Sequence, residues 1–328
     1  MIVSIFKKNY FAQFILLIVL PIVLWFVAFV NPPQIFVNPK ADMPLYDALI
    51  YILPHQGFLP VFLAFLLVIG QGFLVNYIFT SYQLTRKTSY FPAFIYILLM
   101  SSDYRVMTMS SLLLANTFLL LTIIAFLKCY NKSEGLDEIF LSTFLLAIAS
   151  LFYSPLVLLM IWIWVGLFNF KIYKWRSFFV SIFGFLTPYV VLMVYYYLTD
   201  QSDLIMTFIS DHFAILPSFD FLNQPIQIVY MIYLMLFLAI PGYLRSATVR
   251  YDQKLSVRKR VSTLLLYVII SILPFLYDLS NPTMSFIFAP VLAYMLTVFF
   301  FTIKRNIYSD LFILILAILT VVKIFVNC

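Results

Sequence analysis

The chain has 328 residues, 64% of them hydrophobic and 10% charged, and carries a net charge of +7. A soluble domain is about half apolar and about a quarter charged, so this composition excludes a water-soluble globular fold. Because the basic residues sit at the ends of apolar blocks rather than on a surface of their own, the positive charge points to no nucleic-acid partner.

The apolar blocks approach the roughly 20 residues that cross a hydrocarbon layer as a helix, and they lack the alternation of membrane-barrel strands. An all-α integral membrane protein of eleven transmembrane helices is therefore expected, with spans at Phe11–Val30, Phe58–Phe79, Phe91–Met100, Val106–Leu127, Ile139–Phe152, Leu156–Phe170, Ser177–Leu198, Ile226–Leu244, Val261–Leu276, Thr283–Ile303 and Leu311–Phe325. Lys7 and Lys8 precede the first block as in a signal peptide, but the block is of span length and no small-x-small cleavage pattern precedes Asn31-Pro32-Pro33, so it reads as a retained helix. The apolar stretch Ile139–Phe170 would run about 48 Å as one helix, too long for the bilayer. Tyr153-Ser154-Pro155 is the expected break, since proline lacks a backbone donor and clashes with the preceding turn. Ser154 is placed to supply a hydroxyl to the freed backbone groups, and the result is a pair of short helices joined at the outer surface.

Orientation follows from the positive-inside rule. Clusters at 7–8, 86–87, 128–132, 171–176, 245–260 and 304–305 hold 17 of the 20 lysines and arginines and fall on one side, leaving Lys40, Arg105 and Lys323 on the other. The N-terminus is thus expected in the cytoplasm and the C-terminus outside. Cys129 and Cys328 fall on opposite sides and form no structural bridge.

Three loops stand out. In the first outer loop, Asn31–Gly57, the segment Pro44–Leu53 carries Leu45, Ala48, Leu49 and Ile52 at the spacing of a helix lying in the membrane surface. The outer loop Thr199–Pro225 carries Asp200, Asp203, Asp211 and Asp220 and no basic residue. The inner loop Arg245–Arg260 carries six basic residues and one acid, which suits anionic lipid headgroups.

Within the spans ionisable residues are nearly absent, apart from Asp310 and Lys323 near the ends of the last helix, which argues against an ion-coupled carrier. Gln71, Asn76 and Asn116 are expected to bond to neighbouring helices. The chemistry-bearing candidates lie at the outer face: Asp42 and Asp47 after the first span, Asp103 in the turn between the third and fourth, and Arg105 and His55 nearby in the topology. A carboxylate there can take a proton from a hydroxyl nucleophile, and a cation can hold a leaving phosphate. The bland alternative is that these acids are solvated and that His55 is an interfacial residue. No spacing demands a metal, although the acids could hold a divalent ion through oxygen ligands, so the cofactor is left open.

Taken in order, these features resemble the integral-membrane glycosyltransferases of the C-type superfamily. In that family the first span is followed by an outer loop with an acid and a surface-lying helix, matched here by Asn31–Gly57, by Asp42 or Asp47, and by Pro44–Leu53. A second acid between the third and fourth spans corresponds to Asp103 in Ser101-Ser102-Asp103-Tyr104-Arg105, a broken helical pair to Leu146–Trp164, and a seventh span to Ser177–Leu198. The resemblance covers residues 1–200 as a glycosyltransferase-like membrane module, with 201–328 adding C-terminal helices. It implies a transferase using a polyprenyl-phosphate-linked sugar, with Asp42 or Asp47 as general base, Asp103 assisting, and Arg105 and His55 toward the substrate. The Phe- and Tyr-rich chain with its Lys-Asn-Tyr start also resembles polytopic membrane proteins of Bacteroidetes, which implies a bacterial inner membrane. Two other classes compete: a non-catalytic scaffold of envelope assembly whose basic loop binds lipid or a partner, and a lipid or polymer transporter.

Overall fold

The structure, a computed structural model, describes residues 10–35, 43–54, 57–85, 89–102, 107–130, 132, 134–200, 240–248, 253–277 and 282–302. Among them every extended element is helical. Five helices are long and apolar enough to cross a membrane: Gln13–Val30, Phe58–Ser81, Ser111–Lys128, Trp175–Leu198 and Leu255–Tyr277. Shorter apolar helices lie at Phe91–Met100, Ser154–Phe170 and Phe286–Thr302. The predicted spans 226–244 and 311–325 fall mostly or wholly outside the described residues.

Local chemistry sets the helix ends. We label the α-helices α1 (Tyr10–Val30), α2 (Pro44–Ile52), α3 (Phe58–Ser81), α4 (Phe91–Met100), α5 (Ser111–Lys128) and α6 (Leu136–Ser150). They continue as α7 (Met160–Phe170), α8 (Trp175–Leu198), α9 (Leu255–Ile270), α10 (Ile272–Tyr277) and α11 (Ala289–Thr302). Residues 240–248 are also helical. Both α2 and α4 start with a proline in the first turn, where its missing N–H costs nothing. The Ser110 hydroxyl caps α5 by accepting from the Leu113 N–H at 3.2 Å. Gly135, in the left-handed region with φ 57°, turns the chain into α6, whose first turn places Asp137 and Glu138 at the positive end of the helix dipole.

The stretch 139–170 is broken as its proline requires. Helix α6 ends at Ser150, a turn follows, and Ser154–Leu159 forms a 3-10 helix that leads into α7. The break is served differently from expectation: the N–H groups of Phe152 and Tyr153 both donate to the Ala149 carbonyl, and that of Leu156 to Tyr153. Backbone turns therefore do the work assigned to side chains or water, and the buried Ser154 hydroxyl has no partner among the described residues.

The bundle has two chemically distinct ends. At one, Arg260 at the start of α9 donates from Nε to the Leu127 carbonyl at the end of α5 (3.3 Å), and its guanidinium lies 4.9 and 5.4 Å from the ring centroids of Tyr82 and Tyr130. Lys259 donates to the Asn169 carbonyl at the end of α7 (2.8 Å), and Gln253 to Leu84 beyond α3 (3.3 Å). Lys174 before α8 pairs with Glu134 before α6, and Phe91 of α4 packs edge-on to Phe300 of α11. Cations at helix C-termini compensate exposed carbonyls and the dipole. The sequence reading gave the 258–260 cations to lipid; two of the three are instead spent inside the fold, because α9 begins at Leu255, six residues before the predicted Val261.

At the opposite end, Trp25 of α1 donates to the Ser101 hydroxyl after α4 at 2.9 Å, Phe29 of α1 packs on Phe58 of α3, and Ser150 of α6 shares a 2.7 Å hydrogen bond with Tyr189 of α8. The described residues there that carry a formal charge are Asp47 and Asp200, with no described lysine or arginine.

Between the ends, α4 is buried along its whole length against α1, α3 and α11, while α6 joins α5 to α8. The buried face of α8 is Ser177, Ser181, Gly184 and Pro188, a stripe of mostly small residues. It lets the backbones of α6 and α8 approach so closely that a Cβ on Gly184 would lie 2.7 Å from the Phe140 carbonyl. Small interfacial residues of this kind replace the missing hydrophobic drive between helices in lipid. A buried polar knot joins three helices: Gln71 Nε2 donates to the Leu113 carbonyl (2.7 Å) and Thr117 Oγ1 (2.8 Å), and Tyr96 donates its hydroxyl proton to Gln71 Oε1 (2.8 Å). Asn116 donates to Phe286 at 3.3 Å. These two amides thus serve helix packing, as expected from sequence.

Candidate functional site

Of the five predicted site residues, Asp47 is described, whereas Asp42, His55, Asp103 and Arg105 lie outside the described residues. Helix α2 exists where the amphipathic segment was predicted, but its seated face differs. Tyr46 and Ile50 are buried, with Leu49 and Leu53 packed beside them, while Ala48 is exposed and Tyr51 and Ile52 are 92% and 82% exposed. The residues expected to share one apolar face, Leu45, Ala48, Leu49 and Ile52, are therefore split between the two sides. The reason is Tyr46: its ring is wholly buried and its hydroxyl donates to the Met109 carbonyl at 3.2 Å, which fixes the rotation of the helix.

That rotation puts Asp47 on the open side of α2, in the first turn, where a negative charge meets the positive helix end. It lies within electrostatic reach of Tyr196 near the end of α8. The arrangement places an exposed carboxylate at the acidic end of the bundle, within electrostatic reach of a phenol.

Four residues, 103–106, separate Ser102 from Met107, and both flanks are anchored. Ser101 accepts from the buried Trp25 indole of α1, and Met109 accepts from Tyr46 of α2. Helix α2 and the residues bordering Asp103 and Arg105 thus meet at one end of the fold. Close by in sequence, Thr108 is wholly buried and its hydroxyl has no partner among the described residues. Sequence reasoning missed Trp25, Tyr46 and Thr108; the available signal for the first two was an amphipathic aromatic on either side of Asp42, each with a polar atom to satisfy.

Among the described residues no group of three or more His, Cys, Asp or Glu side chains could hold a metal ion. At the opposite end, burial pushes the Cys129 thiol up to about 12, which keeps it protonated near neutral pH. The hydrogen bond from Lys174, reinforced by its charge, holds the Glu134 carboxyl below its ordinary range. No family model, curated protein sequence or solved structure matches the chain.

Proposed function

We propose that the chain is a multi-pass bacterial inner-membrane protein with eleven spans, its N-terminus in the cytoplasm and its C-terminus outside. On this reading it transfers a sugar from a polyprenyl-phosphate donor to an acceptor at the outer face, in envelope glycan synthesis. Three features support the membrane reading: the long apolar helices, the lysines and arginines gathered at the end where α5 and α7 finish, and the large apolar side chains exposed along α1 and α8. The observation that carries the transferase reading is the Tyr46–Met109 hydrogen bond. It joins the surface-lying helix bearing Asp47 to the segment that follows Asp103 and Arg105, the convergence such an active site needs.

In this mechanism Asp47 or Asp42 accepts the proton of the acceptor hydroxyl as it attacks the anomeric carbon. Asp103 orients the acceptor, and Arg105 and His55 engage the departing lipid phosphate. The test is mass spectrometry of the purified protein for bound polyprenyl phosphate, joined to Asp42→Asn, Asp47→Asn and Asp103→Asn in a transfer or complementation assay. Bound lipid and a loss of about 10²-fold or more in at least one folded variant are expected. Full activity in all three variants would shift the reading to a non-catalytic scaffold.

A further inference from the structure

Between α7 and α8 the chain makes a tight elbow at the basic end of the bundle. Lys171 adopts the left-handed region (φ 64°) to close α7, the Ile172 N–H returns to the Leu167 carbonyl at 3.0 Å, and the Ile172 side chain is buried, anchoring the turn. The anchor leaves four aromatic rings outside: Phe168 and Phe179 at 54% exposed, Tyr173 at 63% and Trp175 at 67%. They form an organised rim, with Phe168 and Tyr173 centroids 6.1 Å apart and Trp175 edge-on to Phe179 at 5.5 Å.

The same elbow carries Lys171, Lys174 and Arg176, the last with its guanidinium 5.9 Å over the Trp175 ring. Three other described cations at this end are committed: Lys132 to Glu138, Lys259 to Asn169, Arg260 to Leu127. Among the described residues, Glu134 is the one carboxylate shown to reach the elbow's cations, bonding Lys174 and lying within electrostatic reach of Arg176, so the three cations there outnumber it. From this rim the exposed apolar face of α8 continues through Ile182, Phe183 and Leu186.

A charged collar, an aromatic rim and an apolar track in that order match the anatomy of a phospholipid standing beside the helix. We propose that the elbow binds an anionic phospholipid, its phosphate held by Lys171 and Arg176, its glycerol region against Trp175 and Tyr173, and an acyl chain along Phe179, Ile182 and Phe183. Charge complementarity selects the anionic class: a zwitterionic headgroup brings its own cation to a site that already has an excess. The inference rests on the membrane placement and is independent of the transferase reading.

The test uses the full-length protein in nanodiscs containing brominated phosphatidylglycerol or brominated phosphatidylcholine at equal mole fraction, with tryptophan quenching measured for the wild type and for Trp175→Phe. The Trp175 contribution, taken as the difference between the two proteins, is expected to be quenched several-fold more effectively by phosphatidylglycerol. That preference should fall about fivefold for each cation removed in Lys171→Gln and Arg176→Gln and survive in Lys171→Arg. Equal quenching by the two lipids would overturn the site while leaving membrane placement intact. Quenching by neither would overturn both.

Discussion

Replacing Gln71 with leucine removes a side chain that bonds both α4 and α5 to α3, and its consequence can be worked from the geometry. Three hydrogen bonds of 2.7–2.8 Å are lost. Interhelical hydrogen bonds in membranes average about 0.6 kcal/mol, and the Tyr96 hydroxyl, buried on a helix with no exposed residue, is left unpartnered at a further cost of about 1–3 kcal/mol. Gln71→Leu should therefore destabilise by about 3–5 kcal/mol. Tyr96→Phe loses one bond and orphans the Gln71 carbonyl oxygen, costing about 1–2 kcal/mol. The double variant removes both orphans and should cost no more than Gln71→Leu alone, a coupling of about 1 kcal/mol or more. Equilibrium unfolding in mixed dodecyl maltoside–SDS micelles measures all four proteins. Strictly additive costs would refute the reasoning, because the knot would then contribute nothing as a unit.

Other expectations follow from single positions. Gly184→Leu should destabilise by at least about 2–3 kcal/mol, since the added Cβ meets the fixed Phe140 carbonyl at 2.7 Å, whereas Gly70→Ala, with nothing within 4 Å, should stabilise by up to about 1 kcal/mol in the same assay. In a Cys328→Ser background, Cys129 should resist iodoacetamide at pH 8 until the protein unfolds, because its thiol is buried and its thiolate scarce. Glu134 is held below its ordinary carboxylate range, so its pairing stabilises the fold above that range and loses effect as pH falls through the folded-state value. The stability difference between wild type and Glu134→Gln should accordingly be present at neutral pH and close on acidification.

The helices were legible because apolar blocks of span length have few other uses, and the break near Pro155 because proline leaves no choice of backbone. Rotation was not. In α2, nine residues with seven apolar or aromatic side chains beyond the proline allow several buried faces, and the choice falls to the long-range Tyr46–Met109 bond, which no local period contains. The basic run 258–260 likewise reads as a solvated or lipid-facing patch. Only packing of α9 against α7 and its approach to the end of α5 reveal that Lys259 and Arg260 cap neighbouring helices. At the site, the acids were visible as residues, but Asp47's outward aspect depends on that same rotation of α2.

The sidedness of the two bundle ends is the claim on which the outer-face site depends, and one labelling experiment reaches it directly. In the Cys328→Ser background, single cysteines replace Asp200 at the acidic end and Lys254 at the basic end, both exposed. A membrane-impermeant maleimide is then applied to intact spheroplasts and to lysed ones. The account predicts labelling of Asp200→Cys in intact cells and of Lys254→Cys only after lysis; labelling of Lys254→Cys in intact cells with protection of Asp200→Cys would contradict it.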